Sequence, residues 1–205
     1  MLSKNAILLI RMLTKKIRLA TCNQLMLAKP AWNRRLIANL VGKGFLDRST
    51  FATVVPEVAE TALALWSPGE PPPDFGAVAW QGRRRLQQGK RNVECIVWAT
   101  KKAVRSYGGI GGRLKQPWQV QHDLGVTATY LTYRKVAPQE ARLWIGEDIY
   151  ERDFRVSKNE KLADAFLVQD EQVERSIEFV GDYPANRLQG FHDFWAAKNT
   201  PYELR

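Results

Sequence analysis

Residues 67–76, SPGEPPPDFG, constrain the fold of this 205-residue chain more than any other segment. Four prolines and two glycines occur in these ten residues. Because proline lacks a backbone N–H and its ring restricts φ, such a run is excluded from helix interiors and central strands. The sequence therefore predicts one domain over residues 1–66, a linker over 67–76 and a second domain over 77–205.

Charge also differs between the two ends of the chain. Residues 1–55 contain ten Lys or Arg and one acid, whereas residues 116–205 contain eleven Lys or Arg and fifteen acids. A basic front indicates that the first domain binds a polyanion, and nucleic acid is the commonest one. No apolar run approaches the length of a membrane span, so we expect a cytoplasmic protein that binds no membrane.

The cysteines and glycines predict no cofactor site. Cys22 and Cys95 are the only cysteines, and their spacing matches neither a disulfide framework nor a zinc site. The stretch GGIGG, residues 108–112, lacks the lysine and hydroxyl of a phosphate-binding loop, so it predicts a flexible turn. We expect no bound cofactor, except Mg²⁺ if the two acids described below are catalytic.

Three helices and a two-stranded ribbon are predicted before the proline-rich segment. Apolar residues favour a helix from Lys4 to Thr14, and Thr21 can cap a second helix. Pro30 then leads into a third helix that ends at Gly44. The following stretch FLDRSTFATVV predicts two short strands around a polar turn at residues 47–50.

This order of elements resembles the winged helix-turn-helix family. In that family the start of the third helix contacts base edges, while the helix end and the wing contact phosphates. The resemblance implies base contacts from Asn33, Arg34 and Arg35 and phosphate contacts from Lys43 and Arg48. The residue types suit these roles, because arginine pairs with guanine and asparagine with adenine. A helical interaction module with a solvated basic face is the alternative.

The segments around the proline-rich stretch carry three further predictions. Residues 56–66, PEVAETALALW, predict a short helix that closes the first domain. Residues 81–91, QGRRRLQQGKR, hold five positive charges, among them Arg83, Arg84 and Arg85. These arginines form either a solvated charged face or an additional phosphate contact. The next segment, NVECIVWAT, predicts a strand that leads to a helix capped by Thr100.

The second domain is predicted as an α/β sandwich. A helix over residues 120–136 precedes a strand in ARLWIGEDIY, residues 141–150. Residues 162–183 then predict two apolar strands joined by a charged turn, followed by a helix and a last strand in PYEL. Sequential strands with helices packed against them form an α/β layer structure.

This order, with Asp164 and Glu178 on successive strands, resembles the core of the PD-(D/E)xK nuclease superfamily. The resemblance implies that these two acids bind Mg²⁺, which prefers oxygen ligands, and that they are the catalytic pair. Val180 stands where the superfamily has an assisting lysine, and Ala163 where it has proline. Arg175 and Lys161 are candidate substitutes for that lysine, although Arg175 lies on the opposite face of its strand. Glu147 is a candidate third carboxylate, His122 a candidate to orient one acid or bind phosphate, and His192 is expected to take part in helix packing. A purely structural role for Asp164 and Glu178 is the alternative.

A wider set of segments resembles the plasmid replication-relaxation family. These are QHDLGV, LWIGED, ADAFL, IEFVGDY, RLQGFHDFW and PYEL, together with the basic front. The resemblance implies an α+β protein with an N-terminal winged helix-turn-helix and an α/β restriction-endonuclease-like domain. It also implies double-stranded DNA as the partner, in plasmid replication, transfer or transcriptional control.

Three functions follow from these patterns. The leading prediction is a DNA-binding protein of a plasmid or mobile element whose nuclease-like domain is inactive. One alternative is an Mg²⁺-dependent DNA endonuclease that uses Asp164 and Glu178. The other is an assembly adaptor whose second domain binds a protein partner, and a homodimer is compatible with each of them.

Overall fold

The chain folds as a mixed α+β protein with two separate sheets. The computed structural model describes residues 1–111, 119–154 and 162–205. Its elements in chain order are α1 Lys4–Lys15, β1 Leu19–Thr21, α2 Cys22–Ala28, α3 Arg34–Gly42, β2 Leu46–Val54, β3 Ala64–Trp66, α4 Phe75–Gln88, β4 Arg91–Ala99, α5 Lys101–Tyr107, α6 Val120–Val136, α7 Glu140–Leu143, β5 Trp144–Gly146, α8 Glu147–Asp153, β6 Ala165–Gln169, β7 Gln172–Glu178, α9 Ala185–Ala197 and β8 Tyr202–Leu204.

Two compact units divide the chain, and each is built from two stretches of sequence. Unit 1 comprises Met1–Val55 and Lys90–Leu131, and unit 2 comprises Pro56–Gly89 and Thr132–Arg205. The boundary predicted at residues 67–76 is therefore corrected. The proline-rich segment interrupts regular structure, as expected, but it lies inside unit 2 and does not separate the two units.

Unit 1 contains a three-stranded antiparallel sheet in the order β1-β4-β2. The predicted ribbon with a turn at residues 47–50 is wrong, because β2 is one continuous strand of nine residues. Its partner is β4, from the pair Leu46 and Ala99 to the pair Val54 and Arg91. The polar residues 47–50 are exposed, and β2 lies at the edge of the sheet. Because edge strands often carry polar side chains, this polar run did not distinguish a strand from a turn.

Local signals define the helix ends of unit 1 as predicted. The Thr21 side chain accepts a hydrogen bond from the Gln24 N–H and completes a capping box that begins α2. At the end of α3, Gly44 has φ +70 and its N–H donates to the Val41 carbonyl. Phe45 N–H donates to the Leu40 carbonyl, which completes the glycine-terminated motif that stops a helix.

The spacing of Trp32, Leu36, Leu40 and Val41 predicts that they form the buried face of the third helix, and within α3 the structure confirms only Leu40 as buried. Within α3 the buried residues are Ile37 and Leu40. Trp32, predicted inside that helix, precedes it and is 1 % exposed, with its indole N–H donating to the Asn5 carbonyl. The indole therefore links the segment before α3 to α1 through a partly buried hydrogen bond.

The glycine turn at residues 108–111 agrees with its prediction, while Gly112 lies outside the described residues. Gly108 and Gly109 both have positive φ. A Cβ on Gly109 would lie 2.1 Å from the carbonyl oxygen of Thr14, so the close approach of the two backbones requires glycine.

Unit 2 contains a five-stranded sheet in the order β3-β8-β7-β6-β5. The β7–β8 pair is parallel and the other pairs are antiparallel. The predicted order of helix, three strands, helix and strand is present along the chain from α6 to β8, with the short helices α7 and α8 in addition, but most of α6 belongs to unit 1. The charged turn between β6 and β7 is formed by Asp170 and Glu171, both with positive φ, as a tight two-residue hairpin requires.

Two predicted elements of unit 2 are corrected. The strand predicted over residues 141–150 is only three residues long as β5, and short helices flank it. Glu147 and Asp148 occupy the first turn of α8, where acidic side chains stabilise a helix. The helix predicted over residues 56–66 is absent from the structure, which has strand β3 there, paired with β8.

The basic run of residues 81–91 lies mostly on helix α4. Asp74 caps this helix by accepting a hydrogen bond from the Ala77 N–H. Helix α4 packs close to the chain after β7, because a Cβ on Gly82 would lie 2.6 Å from Cγ1 of Val180. The surrounding core contains Trp66, Phe75, Phe166, Trp195 and Tyr202. None of the helices that the structure describes is long and apolar enough to cross a membrane.

Candidate nucleic-acid interface and the paired carboxylates

The two units differ sharply in charge. Unit 1 contains seventeen Lys or Arg and three acids, a net charge of +14, whereas unit 2 contains fourteen and eighteen, a net charge of −4. The second stretch of unit 1, from Lys90 to Leu131, adds positive charge that the linear order assigned to the other domain. The fold therefore concentrates the basic residues more strongly than the sequence indicated.

The start of α3 presents two of the predicted base-reading residues. Arg34 and Arg35 occupy its first turn, and both are exposed. Asn33 is the N-cap, and its side-chain oxygen accepts a hydrogen bond from the Leu36 N–H at 3.0 Å. Pairing with adenine would use that same oxygen, so the structure favours a capping role for Asn33 and leaves the two arginines as candidate readers.

A cavity of about 360 Å³ in unit 1 has both Arg34 and Arg48 in its lining. Arg34 comes from α3 and Arg48 from the exposed edge strand β2. The other lining residues are Cys22, Asn23, Ile37, Val93, Glu94 and Cys95. Two guanidinium groups that were predicted for separate roles therefore border one cavity, with a single carboxylate among its lining residues.

Lys43 lies at the other end of α3, together with a lysine that the sequence reasoning missed. Lys43 is the exposed C-cap residue, and its carbonyl accepts a hydrogen bond from Nζ of Lys102 at 2.8 Å. Thr100 caps α5 as predicted, and its hydroxyl donates to the Gly44 carbonyl. In the sequence, Lys102 is only one of two adjacent lysines, Lys101 and Lys102. Its proximity to α3 could not be predicted, because it depends on the pairing of β2 with β4.

The three arginines of α4 lie in the acidic unit, and each of them contacts side chains of that unit. Arg83 forms an ion pair with Asp182 at 2.7 Å between Nε and Oδ1. The Arg84 guanidinium carbon lies 5.0 Å from the ring centre of Trp80. Both arginines are exposed to solvent, which agrees with the solvated charged face that is one of the two alternatives for this run.

Arg85 has a structural role that corrects its assignment as a DNA contact. Its Nη2 donates to the main-chain oxygens of Val180 and Arg205 at 2.7 and 2.9 Å. Its guanidinium lies over the ring of Phe179, and burial lowers the pKa of Arg85 to about 10. These two bonds to main-chain oxygens of its own unit favour a structural role for Arg85 over the predicted phosphate contact.

The paired carboxylates are Asp164 and Glu178, and strand register brings them together. Ala165 pairs with Ile177, so one step further places Asp164 opposite Glu178 at the end of the β6–β7 hairpin. Oδ2 of Asp164 accepts a hydrogen bond from the Phe179 N–H at 2.8 Å. Glu178 is 6 % exposed, which makes it the more deeply buried acid of the pair.

Tyr183 and Arg187 lie beside the paired carboxylates, and no sequence pattern singled them out. Burial raises the pKa of Tyr183 well above its usual range, and the negative charges of Glu178 and Asp164 raise it further. The Arg187 guanidinium carbon lies 3.6 Å from the ring centre of Tyr183. A cavity of about 300 Å³ adjoins this group and is lined by Leu162, Glu178, Tyr183, Arg187, Leu188 and Phe191.

The position of the assisting lysine is filled by packing. Val180 is fully buried, and its Cγ1 and carbonyl oxygen lie where a Cβ on Gly82 would need space. Within the described residues, no group of three or more His, Cys, Asp or Glu side chains is arranged to hold a metal ion. Glu147, the candidate third carboxylate, contacts Asp164 with its main chain: its N–H donates a hydrogen bond to the Asp164 carbonyl at 3.0 Å.

The remaining candidates near the acids have other neighbours. Arg175 pairs with Glu140 and Glu203, at 3.1 and 3.4 Å. His122 belongs to unit 1, where its Nδ1 lies 3.9 Å from Oδ1 of Asp123. Lys161 lies outside the described residues. His192 takes part in packing as predicted, with Nδ1 2.9 Å from the Tyr202 hydroxyl.

Comparison of the chain with protein-family models, with curated proteins and with solved structures found no match. The resemblances to the winged helix-turn-helix, nuclease and replication-relaxation families therefore stay predictions.

Proposed function

We propose that unit 1 binds double-stranded DNA, with α3 as the recognition helix and the β2–β4 ribbon as the wing. The observation that carries this proposal is the net charge of +14 in a unit whose third helix begins with two exposed arginines. A surface with that excess of positive charge attracts phosphate backbones strongly.

The arrangement of elements supports the same proposal. Unit 1 has three helices before β2 and a long antiparallel β2–β4 ribbon, which replaces the short ribbon predicted within residues 45–55 as the candidate wing. The ribbon strands are not joined by a short turn, because residues 56–89 lie between them in the chain. This insertion is the main departure from the family pattern.

Individual side chains supply two kinds of contact in this proposal. Arg34 and Arg35 are at the helix start, the part of a recognition helix that reaches base edges in the major groove. Arginine pairs with the two acceptors of guanine, which gives sequence preference. Arg48, Lys43 and Lys102 are suited to phosphate contacts, which position the unit without reading sequence.

Unit 2 adds little to the attraction for DNA, because its net charge is −4. A nuclease-like unit without catalytic activity agrees with the buried Val180 at the lysine position. A metal-dependent endonuclease is the second candidate, and the observation that favours it is the register that places Asp164 opposite Glu178. A plasmid or mobile-element role, a homodimer and an adaptor role all stay predictions.

Equilibrium titration of a labelled duplex with the full chain tests the proposal. We expect the logarithm of the affinity to fall linearly with the logarithm of salt concentration between about 50 and 200 mM. The slope is about −0.9 for each phosphate neutralised, so contacts from Arg48, Lys43 and Lys102 predict a slope near −3 or steeper. Selection from a random duplex library should then recover a preferred sequence. Absence of duplex binding at about 50 mM salt would contradict the proposal.

A further inference from the structure

Two cysteines that are far apart in sequence meet in unit 1. Cys22 is the first residue of α2, directly after β1, and Cys95 lies in β4. Thr21 pairs with Ile96, so the next step of the same register places Cys22 opposite Cys95. Their sulfur atoms are 3.2 Å apart, with the Cys22 S–H donating to Cys95 Sγ, although the residues are 73 positions apart.

This geometry suits a covalent bond between the two sulfurs. Both cysteines adjoin the Thr21–Ile96 pair, and their side chains already point at each other with the sulfurs 3.2 Å apart. Closing the gap requires the sulfurs to approach by roughly 1 Å, since a disulfide bond is about 2.05 Å long. Both cysteines are free thiols in this structure.

We infer that Cys22 and Cys95 form a reversible disulfide that links the two chain stretches of unit 1 under oxidising conditions. One cysteine belongs to Met1–Val55 and the other to Lys90–Leu131, so the bond would cross the point where residues 56–89 interrupt the unit. The inference concerns the stability of unit 1 and does not depend on DNA binding.

The surroundings assign different roles to the two thiols. Cys95 is half-buried and Cys22 is buried, and both line the cavity that Arg34 and Arg48 border. A small oxidant in that cavity would reach Cys95 first. Burial, followed by the hydrogen bond to Cys95, raises the pKa of the Cys22 thiol to about 12, although Arg34 and Arg48 lower it. Cys22 therefore stays protonated and acts second.

Hydrogen peroxide supplies the oxidant in a balanced sequence of two steps. The Cys95 thiolate attacks one peroxide oxygen, the O–O bond breaks, and hydroxide leaves and takes up a proton to form water. The Cys22 sulfur then attacks the sulfur of the Cys95 sulfenic acid and its thiol proton passes to the departing hydroxyl, which leaves as water. Two thiols lose two electrons and two protons, and one peroxide becomes two waters.

The bond would stabilise unit 1 by restricting the unfolded chain. It closes a long loop, because its ends are 73 positions apart. A cross-link over a loop of this length removes conformational freedom from the unfolded state, and its effect grows with loop length. For a chain of this size we expect Tm to rise by roughly 5–10 °C on oxidation.

Peroxide treatment of the reduced full chain tests the inference. Peptide mapping without reductant should show Cys22 and Cys95 peptides linked within one chain, with the mass of two hydrogens lost. Tm should rise on oxidation and return to its original value after dithiothreitol. The matched controls are Cys22→Ser and Cys95→Ser, and neither variant should show the peroxide-dependent rise in Tm.

Three results would overturn the inference. The first is sulfinic acid at Cys95 while Cys22 remains reduced, since the second thiol would then be out of reach. The second is a disulfide only between chains. The third is an internal disulfide that leaves Tm unchanged or lowers it, because the bond would then strain the unit. Mapping of the unaltered chain keeps the test valid even if a serine variant fails to fold.

Discussion

The arginines of the two units have different surroundings, although both units contain many of them. In unit 1, Arg34 and Arg35 are exposed at the start of a helix whose opposite face packs against the core. In unit 2, Arg83 pairs with Asp182 and Arg85 is bonded to two main-chain oxygens. A run of basic letters therefore predicts a nucleic-acid contact only where the fold leaves the guanidinium groups without strong internal partners.

Buried polar groups of unit 2 also form bonds within their own unit, unlike the exposed arginines at the start of α3. Glu203 is 1 % exposed, and the hydroxyl of Tyr133 donates a hydrogen bond to it. Arg205 forms an ion pair with Glu203 and also donates to the carbonyls of Ala59 and Glu60. Burial and the nearby Glu203 charge raise the pKa of Tyr133 above its usual range. The charges of unit 2 are thus used in part to hold its own chain together.

The largest expected effect tests whether the exposed arginines of unit 1 bind DNA. We expect the double variant Arg34→Ala/Arg35→Ala to lose about 1–3 kcal/mol of duplex affinity for each lost contact with guanine. Titration of a labelled duplex with the variant measures this loss. The matched control is Arg83→Ala/Arg84→Ala on α4, which should change affinity by less than about 0.5 kcal/mol. Equal losses in both double variants would remove the distinction between the units.

The next prediction compares the free energy of unfolding after alanine replaces a glycine in α4, where Gly82 is closely packed, and in α3, where Gly42 has open space beside it. A Cβ on Gly82 would lie 2.6 Å from Val180 Cγ1 and 2.9 Å from two backbone oxygens. We expect Gly82→Ala to lower the free energy of unfolding by about 1–3 kcal/mol through overpacking. Denaturant unfolding followed by circular dichroism measures the change.

Gly42→Ala in α3 is the control for that prediction. A Cβ on Gly42 meets no atom of the described residues within 4 Å. Because alanine favours a helix over glycine, this variant should raise the free energy of unfolding by up to about 1 kcal/mol. A destabilised Gly42→Ala protein would show that this side of α3 is packed, and α3 would then be a poor recognition helix.

The smallest expected effect concerns the paired carboxylates. We expect the unaltered protein to leave supercoiled and linear duplex intact in Mg²⁺ or Mn²⁺, because Val180 replaces the lysine and is fully buried. Asp164→Asn should leave duplex affinity unchanged, since the acid lies in the unit of negative charge. Agarose gels and the duplex titration measure these outcomes.

Metal-dependent cleavage that Glu178→Gln abolishes would support the endonuclease instead. Glu174→Gln is the matched control, because Glu174 is an exposed acid on the same strand. Val180→Lys is expected to lower stability and to give no activity, since a lysine at a site packed against Gly82 would bury its charge.

The sequence by itself determined the features of this protein whose partners lie within a few residues. Thr21 and Thr100 cap helices, Gly44 ends α3, and Asp170 forms a turn between two strands. Each of these depends on hydrogen bonds or φ values inside one short segment, so a pattern of neighbouring residues is enough to predict it. The opposed acids are an exception, because a β-bulge between Leu167 and Val168 shifts by one residue the register that the tight turn sets, and only this shift places Asp164 opposite Glu178.

Only the tertiary structure decided which segments belong together. The pairing of β2 with β4, the meeting of Cys22 with Cys95 and the inward position of Arg85 all join residues on different stretches of the chain. The proline-rich segment shows the limit most clearly, since its composition correctly excluded helix and strand from residues 67–74, although Phe75 and Gly76 begin α4, and did not mark the boundary between units. Pairing across an insertion depends on the free energy of burying whole strands and helices together, and no local pattern of residues contains that quantity.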